Sequence, residues 1–411
     1  MADTFDLLLT GATVLDPSQG LHGALEVGVR QGRIAAVGPA LAGTARQRID
    51  LAGRLLTPGW IDIHAHVYAG ATTWGIRADA LCLATGVTTI VDAGSPGWAN
   101  LPGFIDYVAA PARTRVLTFV HIAGIGLTYG PLGELEDIRY ADPERTAAAI
   151  EHWRDYCVGV KVRQGGFQVG ANGVEPLRLA VKAGRYTNTP VMVHIAVGVP
   201  LADVLAELRP GDIVTHCYQG TGDGVLGADG EVVPEARAAR ARGVLFDVGH
   251  GGGSFRFDVA RAALARGFGA DVISTDLHAH NIDGPVYSLA ETASKLLNLG
   301  VRLEEVVRQC TAAPAAAIGR AGQLGTLRVG VAADLAAFEV HEAGRFEFRD
   351  VAGEVLVGER RIEPVLTVRA GTPYRPADLA AECEDAVRRA RQMRAFTGRN
   401  FAALGWTPPA I

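Results

Sequence analysis

Hydrophobic and polar positions divide this 411-residue chain into stretches of different period. From Asp6 to about residue 57 the apolar residues come in short alternating runs. These are Asp6-Leu-Leu-Leu-Thr-Gly-Ala-Thr-Val-Leu15, Ala24-Leu-Glu-Val-Gly-Val29 and Arg33-Ile-Ala-Ala-Val37. Gln31-Gly32 and Gly38-Pro39 punctuate them. Alternation of period two between such turns predicts a small antiparallel sheet. Thr57-Pro58-Gly59 is predicted to be a turn leading into Trp60-Ile-Asp-Ile-His-Ala-His-Val67, which reads as a buried strand.

From there to about residue 320, apolar strand-like runs alternate with Ala-rich helical segments. The runs fall at 60–67, 88–93, 115–123, 158–163, 190–197, 212–218, 244–249 and 271–277. Eight such units predict an α/β fold of the (β/α)8 TIM-barrel type. After residue 320 short β runs return, among them Phe346-Glu-Phe348 and Arg361-Ile-Glu-Pro-Val-Leu-Thr-Val368. The simplest topology joins both ends of the chain in one small split β-sandwich domain. The expected division is 1–57 for its first part, 58–320 for the barrel, 321–375 for its second part, and 376–411 for a C-terminal helix and tail. Within the last segment, 377–396 has helical spacing, and the terminal Gly405-Trp-Thr-Pro-Pro-Ala-Ile411 reads as a docked or frayed tail.

Composition narrows the class. Hydrophobic residues make up 48% of the chain, enough for a large core. Its 39 basic and 44 acidic residues leave a net charge of −5, which offers no footprint for nucleic acid or an anionic membrane. No apolar stretch approaches the roughly 20 residues needed to span a bilayer. Residues 1–6 carry no basic segment followed by an apolar run, so no secretion signal is expected. The five cysteines are scattered and odd in number, and do not read as a disulfide framework. These features predict a cytoplasmic protein acting on a small molecule; self-association is left open.

The chemistry lies at the strand ends. Residues i and i+2 of a strand share a side, so His64 and His66 project together, a geometry suited to one metal ion. Lys161 lies in the fourth predicted strand, His194 in the fifth, His216 in the sixth and Asp276 in the eighth. The C-terminal face of a (β/α)8 barrel is where active sites sit. Four histidines and an aspartate on that face point to a metal centre.

At these residues the chain resembles the amidohydrolase superfamily. The motifs are Thr57-Pro-Gly-Trp-Ile-Asp-Ile-His-Ala-His66, Gly159-Val-Lys-Val-Arg163, Val193-His194, Thr215-His216, Ser274-Thr-Asp276 and Gly325-Thr-Leu-Arg-Val-Gly-Val-Ala-Ala-Asp-Leu335. Lys161-Val-Arg163 and Gly249-His-Gly-Gly-Gly-Ser-Phe255 are most similar to its amidohydrolase/deacetylase group. The resemblance implies two divalent metals, zinc or manganese. His64, His66 and Asp276 would hold the first, and His194 and His216 the second. Lys161, carboxylated by CO2 to N6-carboxylysine, would bridge them. It further implies hydrolysis by a hydroxide shared between the metals, with Asp276 as catalytic proton shuttle.

For the substrate, Arg163 shares the inward face with Lys161, and its guanidinium would suit a substrate carboxylate. A salt bridge at the barrel rim is the other reading. His121 and His250 contact substrate or cap a loop. Gly251 opens a flexible, amide-rich loop, and Tyr68 and Trp74 wall a pocket or pack the loop after the first strand. Together these predict hydrolysis of a small acylated carboxylic acid, an O-acetyl α-hydroxy acid or an N-acyl amino acid. A cyclic amidase of dihydroorotase or hydantoinase type is the alternative. Its dihydroorotase form is disfavoured by Tyr68, because that pattern carries an arginine two residues after the second histidine. A catalytically inactive relative is the reading of another class.

Overall fold

The structure, a computed structural model, describes residues 4–403; the expected Gly405–Ile411 tail lies outside the described residues. Seven parallel strands pair in chain order. They are Trp60–Ala65, Val87–Gly97, Arg115–His121, Cys157–Gln164, Val191–Ile195, Ile213–Thr215 and Leu245–Phe246. Helical segments such as Ala78–Leu83, Pro143–His152, Glu175–Thr187 and Phe257–Ala265 follow them. Strands buried on both faces are rich in Val and Ile because neither side meets water. Ile61, Ile63, Leu117, Phe119, Met192 and Ile213 form one apolar cluster on the concave side of this curled sheet. Their neighbours, Val120, Val160, Val162 and Val193 among them, belong to a larger cluster with the helices. Each such side chain contributes roughly 1.5–3 kcal/mol when fully buried.

Residues 271–277, expected as an eighth strand, make one isolated bridge at each edge of the sheet, Asp247 with Val272 and Ala65 with Leu277, beside scattered backbone bonds such as Val248 N–H to Val272 and Asp276 N–H to His64. They do not form a regular strand. The Thr275 N–H donates to the Asp62 carboxylate at 3.1 Å, and Asp276 adopts a φ of +50°. A ladder needs that N–H for its neighbour and needs extended backbone.

The ends of the chain form two main sheets and depart from the expected antiparallel one. The run Asp6–Leu15 is broken at Gly11, where φ is +75° and a Cβ would come within 2.6 Å of Asp50. Its halves, Thr4–Thr10 and Thr13–Asp16, enter different sheets. Thr4–Thr10 pairs antiparallel with Glu26–Arg30 but parallel with Thr44–Asp50, a polar segment with no strand signal in its sequence. Leu55–Pro58 is a strand, so Thr57 and Pro58 are not in a turn. It pairs with Leu335–His341, joining the N- and C-terminal segments in one six-stranded sheet. Phe346–Arg349 pairs with Val355–Gly358 as a separate hairpin. Leu7, Leu9, Val27, Leu335 and Val368 share one core cluster, which packs the two sheets together.

A helix spans Ala380–Ala403 near the C-terminus. Arg391 and Arg394 on it bind Asp283, in the loop after residue 277, at 2.9–3.0 Å. No helix among the described residues is long and apolar enough to cross a membrane.

Candidate metal centre

His64 and His66, at the end of the Trp60–Ala65 strand, lie with ring centroids 5.7 Å apart. Their Nε2 atoms stand 3.3 and 3.1 Å from the same oxygen, Asp276 Oδ1. All three ligand atoms fall within 4.8 Å of one another. Lys161 Nζ is 3.4 Å from His64 Nε2. The His194 and His216 rings are 4.5 Å apart, and His216 is 5.1 Å from His64. The six predicted ligands therefore converge. His216 and Asp276 take φ of +70° and +50°, left-handed values that cost non-glycine residues on the order of 1 kcal/mol or more. Such strain persists where the surroundings hold it in place.

The outer nitrogens of three of these histidines define their protonation. Thr215 Oγ1 donates to Asp247 at 2.7 Å, so it must accept from His64 Nδ1 at 2.8 Å. Ser95 donates to the buried Asp92 and accepts from His66 Nδ1 at 2.9 Å. His216 Nδ1 donates to the Gly249 carbonyl at 2.6 Å. Each ring thus carries its proton on Nδ1 and turns a bare Nε2 inward. Asp276 Oδ1 and His216 Nε2 are buried with no hydrogen-bond partner among the described residues. Lone pairs in contact at 3.1–3.3 Å repel unless a cation lies between them. Two neutral imidazoles and a carboxylate are a fitting donor set for a divalent ion. Outer partners of this kind typically contribute 10–100-fold in metal affinity. Thr215→Val, which removes the acceptor for His64 Nδ1, is therefore expected to weaken metal binding by about that factor in competition with a chelator.

Burial also keeps the ligands in their binding forms. It lowers His66 to about 3 and His216 to about 4, so both are neutral near pH 7. It brings the Lys161 amine down to about 8, against the pull of Asp276 and Asp247. Gly94 makes room for that lysine: a Cβ there would stand 2.5 Å from Lys161 Cβ.

The residues expected to meet substrate are placed differently. Arg163 donates through Nε and Nη2 to the two carboxylate oxygens of Glu134, at 2.8 and 2.6 Å. Its fork is occupied, as in the salt-bridge reading. His121 is fully buried, with Nε2 3.3 Å from Glu134 and Nδ1 accepting from the Ala123 N–H. His250 is fully buried too. Its Nε2 accepts from Lys295 Nζ at 2.8 Å and its Nδ1 contacts the Gly251 carbonyl at 2.9 Å, so it holds the loop. Tyr68 turns away from the centre, donating to the Asn100 carbonyl and packing edge-on against Phe104. Gly251 lies against Asp276, where a Cβ would be 2.8 Å from Oδ2. Trp74 remains beside the centre, 6.3 Å from the His66 ring.

Burial pushes the Glu134 carboxyl up, but the Arg163 charge, its two bonds and His121 outweigh this and hold it at about 2, against 4.5 ordinarily. A carboxyl lowered on folding stabilises the fold above its unfolded value and loses that contribution as pH falls through both values. Arg163→Met leaves the Glu134 charge unpaired. It is expected to cost about 3 kcal/mol in denaturant unfolding at neutral pH. The deficit should shrink as pH falls from 4.5 towards 2.

Several partners had no signal in the sequence. Glu134 sits in an irregular loop 29 positions before Arg163. Lys295 looks like a surface helix residue, yet it is fully buried and donates to His250, Pro285 and Arg349. His278 was legible in principle: His278-Ala-His280 repeats the His-x-His pattern two residues after Asp276. It packs against both His66 and Trp74.

A model of the amidohydrolase family matches residues 237–358. A deacetylase of Agrobacterium fabrum is 40% identical over 336 residues, covering 81% of this chain and 82% of its own length. The chain belongs to the amidohydrolase family. Two solved structures align with this amidohydrolase over 90% of its length. One is titled an adenine deaminase, with a TM-score of 0.84, 34% identity and all of that chain covered. The other is titled a dihydroorotase, with a TM-score of 0.82, 35% identity and 99% covered. This amidohydrolase is a metal-dependent hydrolase acting on C–N or ester bonds.

Proposed function

We propose that this amidohydrolase removes the acyl group from a small acylated carboxylic acid, an O-acetyl α-hydroxy acid or an N-acyl amino acid. The similarity to the Agrobacterium fabrum deacetylase over four-fifths of the chain carries this reading. The contact of two bare imidazole nitrogens with Asp276 Oδ1 supports metal chemistry at the site. We read the curled sheet and residues 271–277 as a (β/α)8 barrel, and the two end sheets as a split β-sandwich.

His64, His66 and Asp276 would hold one divalent ion, and His194 and His216 a second. Zinc suits imidazole and carboxylate donors, and manganese is compatible with them. Lys161, with an amine that burial renders largely neutral at mildly alkaline pH, can react with CO2 to give the anionic bridge. When bound, such ions acidify a water and polarise a carbonyl. Asp276 accepts the proton released as that water attacks, and delivers it to the departing alkoxide or amine. The missing Cβ of Gly251 leaves the Asp276 carboxylate room for this task.

The cyclic-amidase alternative draws on the dihydroorotase-titled structure. Tyr68, in place of an arginine and bonded away from the centre, counts against it. A zinc- or manganese-loaded preparation with bicarbonate distinguishes the readings. Turnover is expected on acetylated hydroxy or amino acids of one configuration. Turnover confined to dihydroorotate or hydantoins would overturn the deacylase reading. Fewer than one metal per chain and no activity on any substrate would favour an inactive relative.

A further inference from the structure

Arg163 gives its Nε–H and one Nη2–H to Glu134, so a substrate carboxylate approaching it would share the guanidinium with that acid. Most imidazoles around the centre face the proposed ligand cluster or a neighbouring side chain. His64, His66 and His216 turn bare Nε2 atoms towards the proposed metal site, which the His194 ring joins. His121 lies against Glu134, and His250 accepts from Lys295. His280 is bonded to the Thr73 backbone. His278 differs. Its Nδ1 accepts the backbone N–H of His280 at 3.1 Å, so the neutral ring carries its proton on Nε2. That Nε2–H meets no acceptor among the described residues, although the residue is only 3% exposed.

The ring is also held in place. The His278 N–H donates to Asn281 Oδ1 at 2.9 Å, and Asn281 Nδ2 donates to the Asp276 carbonyl at 2.8 Å. Trp74 packs edge-on against it at 4.8 Å, and the His66 ring lies 6.3 Å away. Facing it is Gly252, which is exposed. A Cβ at Gly252 would stand 3.8–3.9 Å from His278 Cε1 and Nε2, with nothing nearer.

We infer that His278 is a specificity-determining residue: its Nε2–H binds the carboxylate of the substrate in the gap between Trp74 and Gly252, beside the metal centre. The inference rests on the proposed deacylase reading. It assigns the acid group to the eighth βα loop and not to Arg163. A donor fixed in this way would favour an ionised acid over its neutral ester or amide, because a hydrogen bond to a charged acceptor is about twice as strong as a neutral one.

Two measurements separate this inference from the reading it rests on. Turnover of acetylated acids by the wild type tests the reading alone. Calorimetric binding of phenyllactate against phenyllactamide tests the anchor without turnover. His278→Leu is expected to weaken phenyllactate binding about tenfold or more while leaving phenyllactamide within about threefold, as loss of a charge-assisted bond predicts. His278→Gln, which retains an N–H donor, should recover part of the loss. Gly252→Ala provides a check that does not depend on altering the ring. Its methyl meets only ordinary van der Waals contacts, so the fold is retained, but it fills the proposed seat and should weaken phenyllactate binding several-fold. Equal losses for acid and amide in His278→Leu, or unchanged acid binding in both His278→Leu and Gly252→Ala, would overturn the inference.

Discussion

Replacing Asp276 with Asn is expected to lower kcat about 10³-fold while leaving most of the bound metal in place. Asparagine keeps an oxygen where Asp276 Oδ1 stands between His64 and His66, so one ligand atom survives. It also tolerates the φ of +50° at this position better than most residues, because a short polar side chain accepts the left-handed region. The fold and its melting temperature should therefore be close to wild type. What is lost is the ability to take up and release a proton. Positioned acid–base groups typically contribute 10²–10⁴-fold, and Asp276 is the carboxylate grouped with His64 and His66 among the described residues. Metal content by plasma mass spectrometry, read beside kcat on the best acetylated substrate, checks this. A kcat within tenfold of wild type would remove Asp276 from the proton pathway. Loss of metal in proportion to activity would reduce it to a ligand.

Lys161→Ala is expected to have a second large effect, on metal content itself. Lys161 is buried between Gly94 and His64, and its proposed carbamate would supply the anionic bridge between the two histidine pairs. Truncation should leave at most one metal per chain and lower activity by more than about 10²-fold, beyond what loss of an outer-sphere partner costs. It also opens a polar cavity among the ligands. Acetate or formate, which present the carboxylate that a lysine carbamate would supply, should restore part of both the metal and the activity. Lys161→Met fills the cavity and should resist that rescue. Full occupancy of both metals in Lys161→Ala would show that the lysine does not bridge.

These expectations rest on ligand positions that were readable before any coordinates. His64, His66, Lys161, His194, His216 and Asp276 all converge. Strand position is a local property: Met192 lies on the inward face, and His194, two residues on, shares it. The substrate-facing residues were a different matter. Arg163 follows Lys161 by two positions in the same strand, but its partner Glu134 comes from a loop without periodicity. His250 and Tyr68 were near the right loops, yet Lys295 and the Asn100 carbonyl, both remote in sequence, occupy their polar atoms.

The sequence by itself determined the alternation of strands and helices, and that six residues of metal-ligating type would meet at the strand ends. Both follow from short-range period and residue type, which a linear pattern carries in full. Tertiary structure alone decided which nitrogens bear protons. It also decided that residues 271–277 surrender a ladder bond to Asp62, that Gly11 sends one β run into two sheets, that Arg163 is tied to Glu134, and that the His280 N–H takes His278 Nδ1. The physical reason is common to these cases. A hydrogen bond is completed by whichever group the fold brings within about 3 Å, and that group comes from a distant part of the chain.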